Sequence, residues 1–131
     1  MIQEIYVSFK TAKFLKQKGF DEPTLAWYTQ EGILLNRATT YKYNSDKTIP
    51  KHGDFVAAPT QSMTMKWLRE IYKLSIEPYY DIALSWAVDI KYIGKYTNYN
   101  EFEEVRSQTY NSYEQACEEA INYCLENLVK V

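Results

Sequence analysis

One histidine is all that this chain of 131 residues has, and it is His52, set in a polar stretch between Arg37 and Pro59. A metal centre built from imidazoles and thiolates is therefore not expected, because such centres need several of these groups converging at short spacing. Only two cysteines are present, Cys117 and Cys124. Seven residues apart on what reads as one helix, their α-carbons would lie about 10 Å from each other, beyond the reach of a disulfide. They read as reduced thiols in an apolar stripe. Nucleophilic catalysis by either would need a base beside it, and nothing in the spacing places His52 there. Four glycines leave no phosphate-cradling loop of the G-x-G-x-x-G or G-x-x-x-x-G-K type. No apolar run is long enough to cross a bilayer, and the first thirty residues hold no leader-like segment. The expectation is a soluble cytoplasmic protein that is not an enzyme and carries no cofactor.

What the chain does have is material for a core. With 46% hydrophobic and 24% charged residues, it is expected to form a single domain over residues 1–131. Net charge is −2 and the pI is near 5.5, which argues against a protein built mainly to hold polyanions. The charge is unevenly placed. Residues 1–75 carry 11 Lys/Arg and 7 Asp/Glu, whereas residues 76–131 carry 4 and 10. The carboxylate pairs Glu103-Glu104 and Glu118-Glu119 read as solvated faces rather than as acid and base.

Local signals along the chain predict an α+β fold. Ser8 caps a first helix that Gly19 stops, with Phe20 folding back on Leu15. After Asp21-Glu22-Pro23, the alternation of Leu25, Trp27 and Thr29, a turn at Glu31-Gly32, and then Ile33 and Leu35 predict a β-hairpin. Residues 37–59 read as a long mobile loop or a concealed short strand. Thr60 then caps a second helix, with Lys66, Arg69, Glu70 and Lys73 on one polar arc and Met63, Trp67, Leu68, Ile71 and Leu74 on the apolar side. A short strand is expected at 74–77, with Pro78 marking its end or an edge position. Next comes the strongest period-two signal, Ile82, Leu84, Trp86, Val88, Ile90 and Tyr92, which predicts a strand over 82–92 with one face in the core. A third strand is expected within 102–109. Ser112 and Gln115 form a capping box that opens a last helix with Tyr113, Ala116, Cys117, Ala120, Ile121, Cys124 and Leu128 on its apolar stripe. The C-terminal order is thus helix, three antiparallel strands, helix, preceded by the N-terminal helix and hairpin.

The segments VSFKTAKFLKQKGFDEP, APTQSMTMKWLREIY and SYEQACEEAINYCLENL, in this order and near these spacings, resemble a family of small uncharacterised proteins encoded in prophages and mobile elements of anaerobic gut bacteria. The resemblance covers most of the chain. It implies an intracellular accessory protein of phage-like origin, and neither an activity nor a catalytic residue.

Helix, three strands and helix is also the order of elements in double-stranded RNA-binding domains. There the last helix opens on basic residues, while SYEQACEEA here would repel phosphate. A nucleic-acid face could instead use Lys66, Arg69 and Lys73, helped by Lys10, Lys13 and Lys16, although lysines on amphipathic helices commonly serve solubility alone. Aromatic residues make up 16% of the chain, with thirteen tyrosines. Trp27, Trp67 and Trp86 fall at core positions. Tyr79, Tyr80, Tyr96 and Tyr99 flank the long strand, where a ring with a hydroxyl tip suits either a protein interface or edge packing. Two functions follow: a binding module for an unknown protein or for a second copy of itself, using these tyrosines, and alternatively a weak nucleic-acid binder using Lys66, Arg69 and Lys73.

Overall fold

A computed structural model describes residues 2–46, 55–98 and 100–130. The described residues are α+β, with two antiparallel sheets and four helices. They group into two compact units, one made of residues 1–60 with 130–131 and the other of 61–129. None of their helices is long and apolar enough to cross a membrane.

The first unit opens with α1 (Phe9–Gln17), whose start and stop follow the sequence signals. The Ser8 hydroxyl accepts from the Thr11 amide at 3.1 Å. Gly19 takes φ +92°, and the Phe20 amide donates back to the Leu15 carbonyl at 3.0 Å, the 6→1 bond of a Schellman ending. Three antiparallel strands follow, β1 (Thr24–Tyr28), β2 (Leu34–Tyr41) and β3 (Val56–Ala57), with β1 in the centre. The β1–β2 hairpin turns where expected: the Thr29 amide donates to the Ile33 carbonyl, and Gly32 adopts φ +83°.

The stretch 37–59 contributes structure at both of its described ends. β2 continues to Tyr41, and its residues Arg37 to Thr40 bulge opposite Leu25 alone. Tyr43, 1% exposed, stacks on Trp27 at 4.8 Å between ring centroids. The Asn44 side chain donates to the Phe20 carbonyl and accepts from the Ala57 amide, tying the α1 exit to β3. Residues 47–54, and with them His52, lie outside the described residues.

The second unit holds α2 (Gln61–Tyr72), the hairpin β4 (Leu74–Asp81) and β5 (Ser85–Tyr92), α3 (Glu103–Arg106) and α4 (Tyr113–Asn127). One apolar stripe of α4, from Ala116 through Cys117, Ala120, Ile121 and Cys124 to Leu125, is fully buried. It packs across both strands, and α2 packs against β4 and α4. Leu74, Ile76, Val88 and Ile90 supply the sheet side of this core. Ser112 caps α4 by accepting from the Gln115 amide at 3.1 Å, while the Gln115 side chain accepts from the Asn111 amide.

Three expectations need correction. The region 102–109 is not a third strand: Phe102, left-handed at φ +60°, leads into the short helix α3, and Phe102 and Val105 are both buried. Glu103 and Glu104 in its first turn and Arg106 in its last suit a helix dipole. Strand pairing survives there only as a single bridge between Tyr110 and Trp86. The long strand begins at Ser85 rather than at 82, because Ile82, Ala83 and Leu84 form the turn. Finally, β4 is not a short strand over 74–77 but runs on to Asp81, with Pro78 at an edge position.

Ladder geometry explains why the proline is tolerated. The Trp86 amide and carbonyl both bond to Tyr110, and the Ile93 amide bonds to the Lys73 carbonyl. Alternation along the strand then puts the pair Pro78 and Val88 at a non-hydrogen-bonded position. The proline nitrogen faces the outer edge of β4, where no ladder bond is lost.

Candidate protein interface at the tip of the second hairpin

Asp81 and Ser85 are the last pair of the β4–β5 ladder, and three residues close it. The Leu84 amide donates to the Asp81 carbonyl at 2.9 Å, and the Asp81 carboxylate accepts from the Ile82 amide at 2.7 Å. A three-residue hairpin loop of this kind needs its third residue in the left-handed region and favours glycine there. Here the residue is Leu84, at φ +63°. A bulky side chain in that region is strained by roughly 1 kcal/mol or more. The same turn leaves Ile82 98% and Leu84 79% exposed.

An aromatic cluster supports the tip. Tyr80 and Trp86, directly opposite each other on the helix-facing side of the hairpin, meet edge to face at 5.2 Å. Trp86 in turn meets Tyr113, at the start of α4, at 5.5 Å. Trp86 is half-buried between them, while Tyr80 and Tyr113 keep about half of their surface in water. Holding Trp86 from its other edge, the Tyr110 backbone exchanges two hydrogen bonds with it, at 2.8 and 3.1 Å. Such pairs contribute about 0.5–1.5 kcal/mol each beyond their buried area. The strained, apolar turn thus sits on a stiff base.

The tyrosines singled out by sequence do not form one surface. Tyr80 belongs to the tip cluster. Tyr79, pairing with Ala87, points to the opposite face of the hairpin, where burial and then the Asp89 and Asp81 carboxylates push its phenol pKa up. Tyr96, 82% exposed, follows the far end of β5, whose last residue Tyr92 lies roughly 20 Å along the strand from Trp86. Tyr99 lies outside the described residues. Ile82, Leu84 and Tyr113 were assigned to core positions by their periodicity, yet all three are exposed. The missed signal was Asp81, a residue whose side chain commonly caps its own turn.

Of the basic arc, Lys66 and Arg69 are exposed on α2 beside Glu70. Lys73 lies past the helix end, at φ +56° in the turn to β4. The arc is therefore two cations on a helix and a third on a corner. Cys117 and Cys124 are both fully buried, and burial pushes their thiols up to about 11 and about 12. A thiol so sealed and protonated is no nucleophile near neutral pH. Among the described residues no group of three or more His, Cys, Asp or Glu is placed to hold a metal ion.

No known protein family, curated protein or solved structure matches this chain.

Proposed function

We propose that the chain is a non-enzymatic protein-binding module, an accessory protein of a mobile element, that docks through the β4–β5 tip. The supporting observation is the turn itself: Ile82 and Leu84 stand in water, and Leu84 holds a left-handed conformation that a glycine or asparagine would adopt at less cost. A hairpin that breaks both its local conformational rule and its exposure rule gains nothing inside its own unit from either. Tyr80 and Tyr113 frame the aliphatic pair, and tyrosine is enriched in protein interfaces. Asp81 and Glu114 stand next to the patch in sequence, in a unit of six Lys/Arg against eleven Asp/Glu. The complementary partner is a protein with an apolar pocket and a basic rim. The same acidic balance weighs against phosphate as the ligand. Two unpaired, reduced thiols fit a cytoplasmic setting.

Burying an aliphatic side chain contributes about 1.5–3 kcal/mol. Replacing both Ile82 and Leu84 by Asp is therefore expected to weaken the complex by roughly a hundredfold or more while leaving the circular dichroism unchanged. The test is parallel capture from host lysate, after nuclease treatment, on the native chain and on this double variant. A protein held by the first and released by the second supports the reading. A native chain that retains only nucleic acid overturns it, as does a captured protein that the double variant holds equally well.

A further inference from the structure

The outer edge of β2 is open. Among the described residues β2 pairs with β1 alone, at the end of the order β2-β1-β3, and every residue from Leu34 to Thr40 is exposed. Ladder alternation decides which backbone groups face outward. The Thr29 amide donates to the Ile33 carbonyl, whereas the Ala26 carbonyl turns the other way and accepts from the Ala58 amide, just past β3. Ile33 and Leu35 therefore bond inward to β1, and the pairs Tyr28 with Leu34 and Ala26 with Asn36 are the non-hydrogen-bonded ones. The amides and carbonyls of Leu34 and Asn36 point away from the sheet, and none of them bonds to a described residue. The turn at Gly32 ends this open interval on one side and the bulge from Arg37 to Thr40 ends it on the other, a bulge being a common way to blunt an edge.

The interval is aliphatic, with opposite charges at its two ends. Ile33 and Leu35, 56% and 42% exposed, share one face of the strand, and Leu34, 39% exposed, lies on the other. Glu31 stands in the turn before the strand and Arg37 at the bulge after it. Glu31 makes no ion pair with a described residue. The Arg37 guanidinium lies over the Trp27 ring, 5.3 Å from its centroid. A short edge of this kind, acidic at one end and basic at the other, is complementary to itself when run antiparallel.

We propose that β2 pairs with β2 of a second copy of this chain, antiparallel about a two-fold axis at Leu35. Leu34 of each copy exchanges both backbone bonds with Asn36 of the other, and the two Leu35 side chains meet at the axis as a close non-hydrogen-bonded pair. Ile33 then faces Arg37 of the other copy, with Glu31 two residues further along and within diagonal reach of that arginine. The two-fold gives this charge pair twice. Two three-stranded sheets become one continuous sheet, and both open edges are closed. The contact is smaller than that of a permanent dimer. Its dissociation constant is expected at roughly 0.1 mM, and in more dilute solution β2 stays solvated. No residue is shared with the β4–β5 tip.

Sedimentation velocity of the full chain between about 0.01 and 1 mM should show the mean mass rising from 15.5 kDa toward twice that value. Over the same range the amides of Leu34 and Asn36 should exchange with solvent progressively more slowly. Asn36→Pro deletes an outward amide in each copy without removing a bond to β1, and should weaken the dimer about tenfold or more with the circular dichroism unchanged. Glu31→Arg and Arg37→Glu should each weaken it by about threefold to tenfold, because like charges then face each other across the contact. An equimolar mixture of these two exposed-site variants restores opposite charges at both ends and should recover the native mass. The double Asp variant at Ile82 and Leu84 should dimerise as the native chain does. The proposal is overturned if the chain stays monomeric to about 1 mM, which leaves the edge to a strand of another protein. It is equally overturned if Asn36→Pro dimerises undiminished or if mixing the charge variants recovers nothing.

Discussion

The two hairpins of this chain solve the same geometric problem with opposite chemistry. In the first unit, the turn from β1 to β2 uses Gly32 at φ +83°, and a β-carbon there would meet the Phe9 ring at 2.9 Å. Glycine is what both the dihedral and the space require. In the second unit, the turn from β4 to β5 also needs a left-handed residue and uses Leu84. The strand burial is reversed as well. Throughout β2, residues Leu34 to Thr40 are exposed, whereas Ala87, Val88 and Ile90 of β5 are buried. The hairpin whose turn follows the rules therefore carries a solvated strand, and the one whose turn breaks them is anchored in a core. A strained turn persists only where its surroundings over-determine it, and β5 has those surroundings.

Truncating the strands gives the largest contrast. Ile90 is 4% exposed in β5, and Leu35 is 42% exposed in β2. Ile90→Ala should cost about 2–5 kcal/mol of stability, and Leu35→Ala no more than about 0.5 kcal/mol. Urea unfolding of the two variants measures both; equal losses would mean that β2 is covered in solution.

Alkaline pH should separate the units next. The thiols of Cys117 and Cys124 are raised by burial to about 11 and about 12 from an ordinary value of 9.0. Above pH 9 the unfolded chain releases these protons while the folded chain keeps them. Stability is thus complete below pH 9 and falls as pH rises toward the folded values. Between pH 9 and 10 the loss is about 1 kcal/mol per thiol, all of it in the second unit. The first unit has no cysteine, and its buried Tyr43, also raised by burial, starts from an ordinary value of 10.0. Urea unfolding at the two pH values, read by variants that keep Trp27 or Trp86 as their only tryptophan, should show the Trp86 signal weakening first. Replacing both cysteines by alanine should remove most of that difference, leaving the part due to Tyr79, Tyr92, Tyr110 and Tyr123 of the second unit, whose phenols are also raised by burial.

Gly32→Ala tests the turn that obeys its rules. A methyl group there is strained by the left-handed backbone and presses on Phe9, itself packed at 5.2 Å from Tyr28. The expected loss is about 1–2 kcal/mol, read as a lower urea midpoint at unchanged slope.

What could be read from sequence divides along the same line as the hairpins. Ser8, Gly19, Gly32 and Ser112 each marked a boundary correctly, because a cap or a left-handed glycine acts within a few residues of itself. The apolar stripe of α4 was legible for the same reason: helical spacing is a local property. The turn at 82–84 was not. Ile82, Ala83 and Leu84 continue the alternation of β5 unbroken, so a periodicity argument runs straight through them, and only tertiary packing decides where the strand begins. The same holds for 102–109, where Phe102 and Val105 fit either a strand edge or one turn of helix until the core of the unit selects the helix. The residues proposed to form an interface were thus hidden among those that looked most like core.

Leu84→Asn is the smallest expected effect and the one that separates the two turns most cleanly. Asparagine accepts the left-handed region far better than leucine does, and at 79% exposure little packing is lost with the side chain. The variant should therefore be more stable than the native chain by about 0.5–1 kcal/mol, seen as a rise in the urea midpoint. It should at the same time lose part of the capture described for the double Asp variant. A gain in stability coupled to a loss of binding is the mark of a turn whose sequence serves an encounter outside the unit. If the variant is instead destabilised, Leu84 is packing against its own unit, and the difference between the hairpins is one of folding rather than of function.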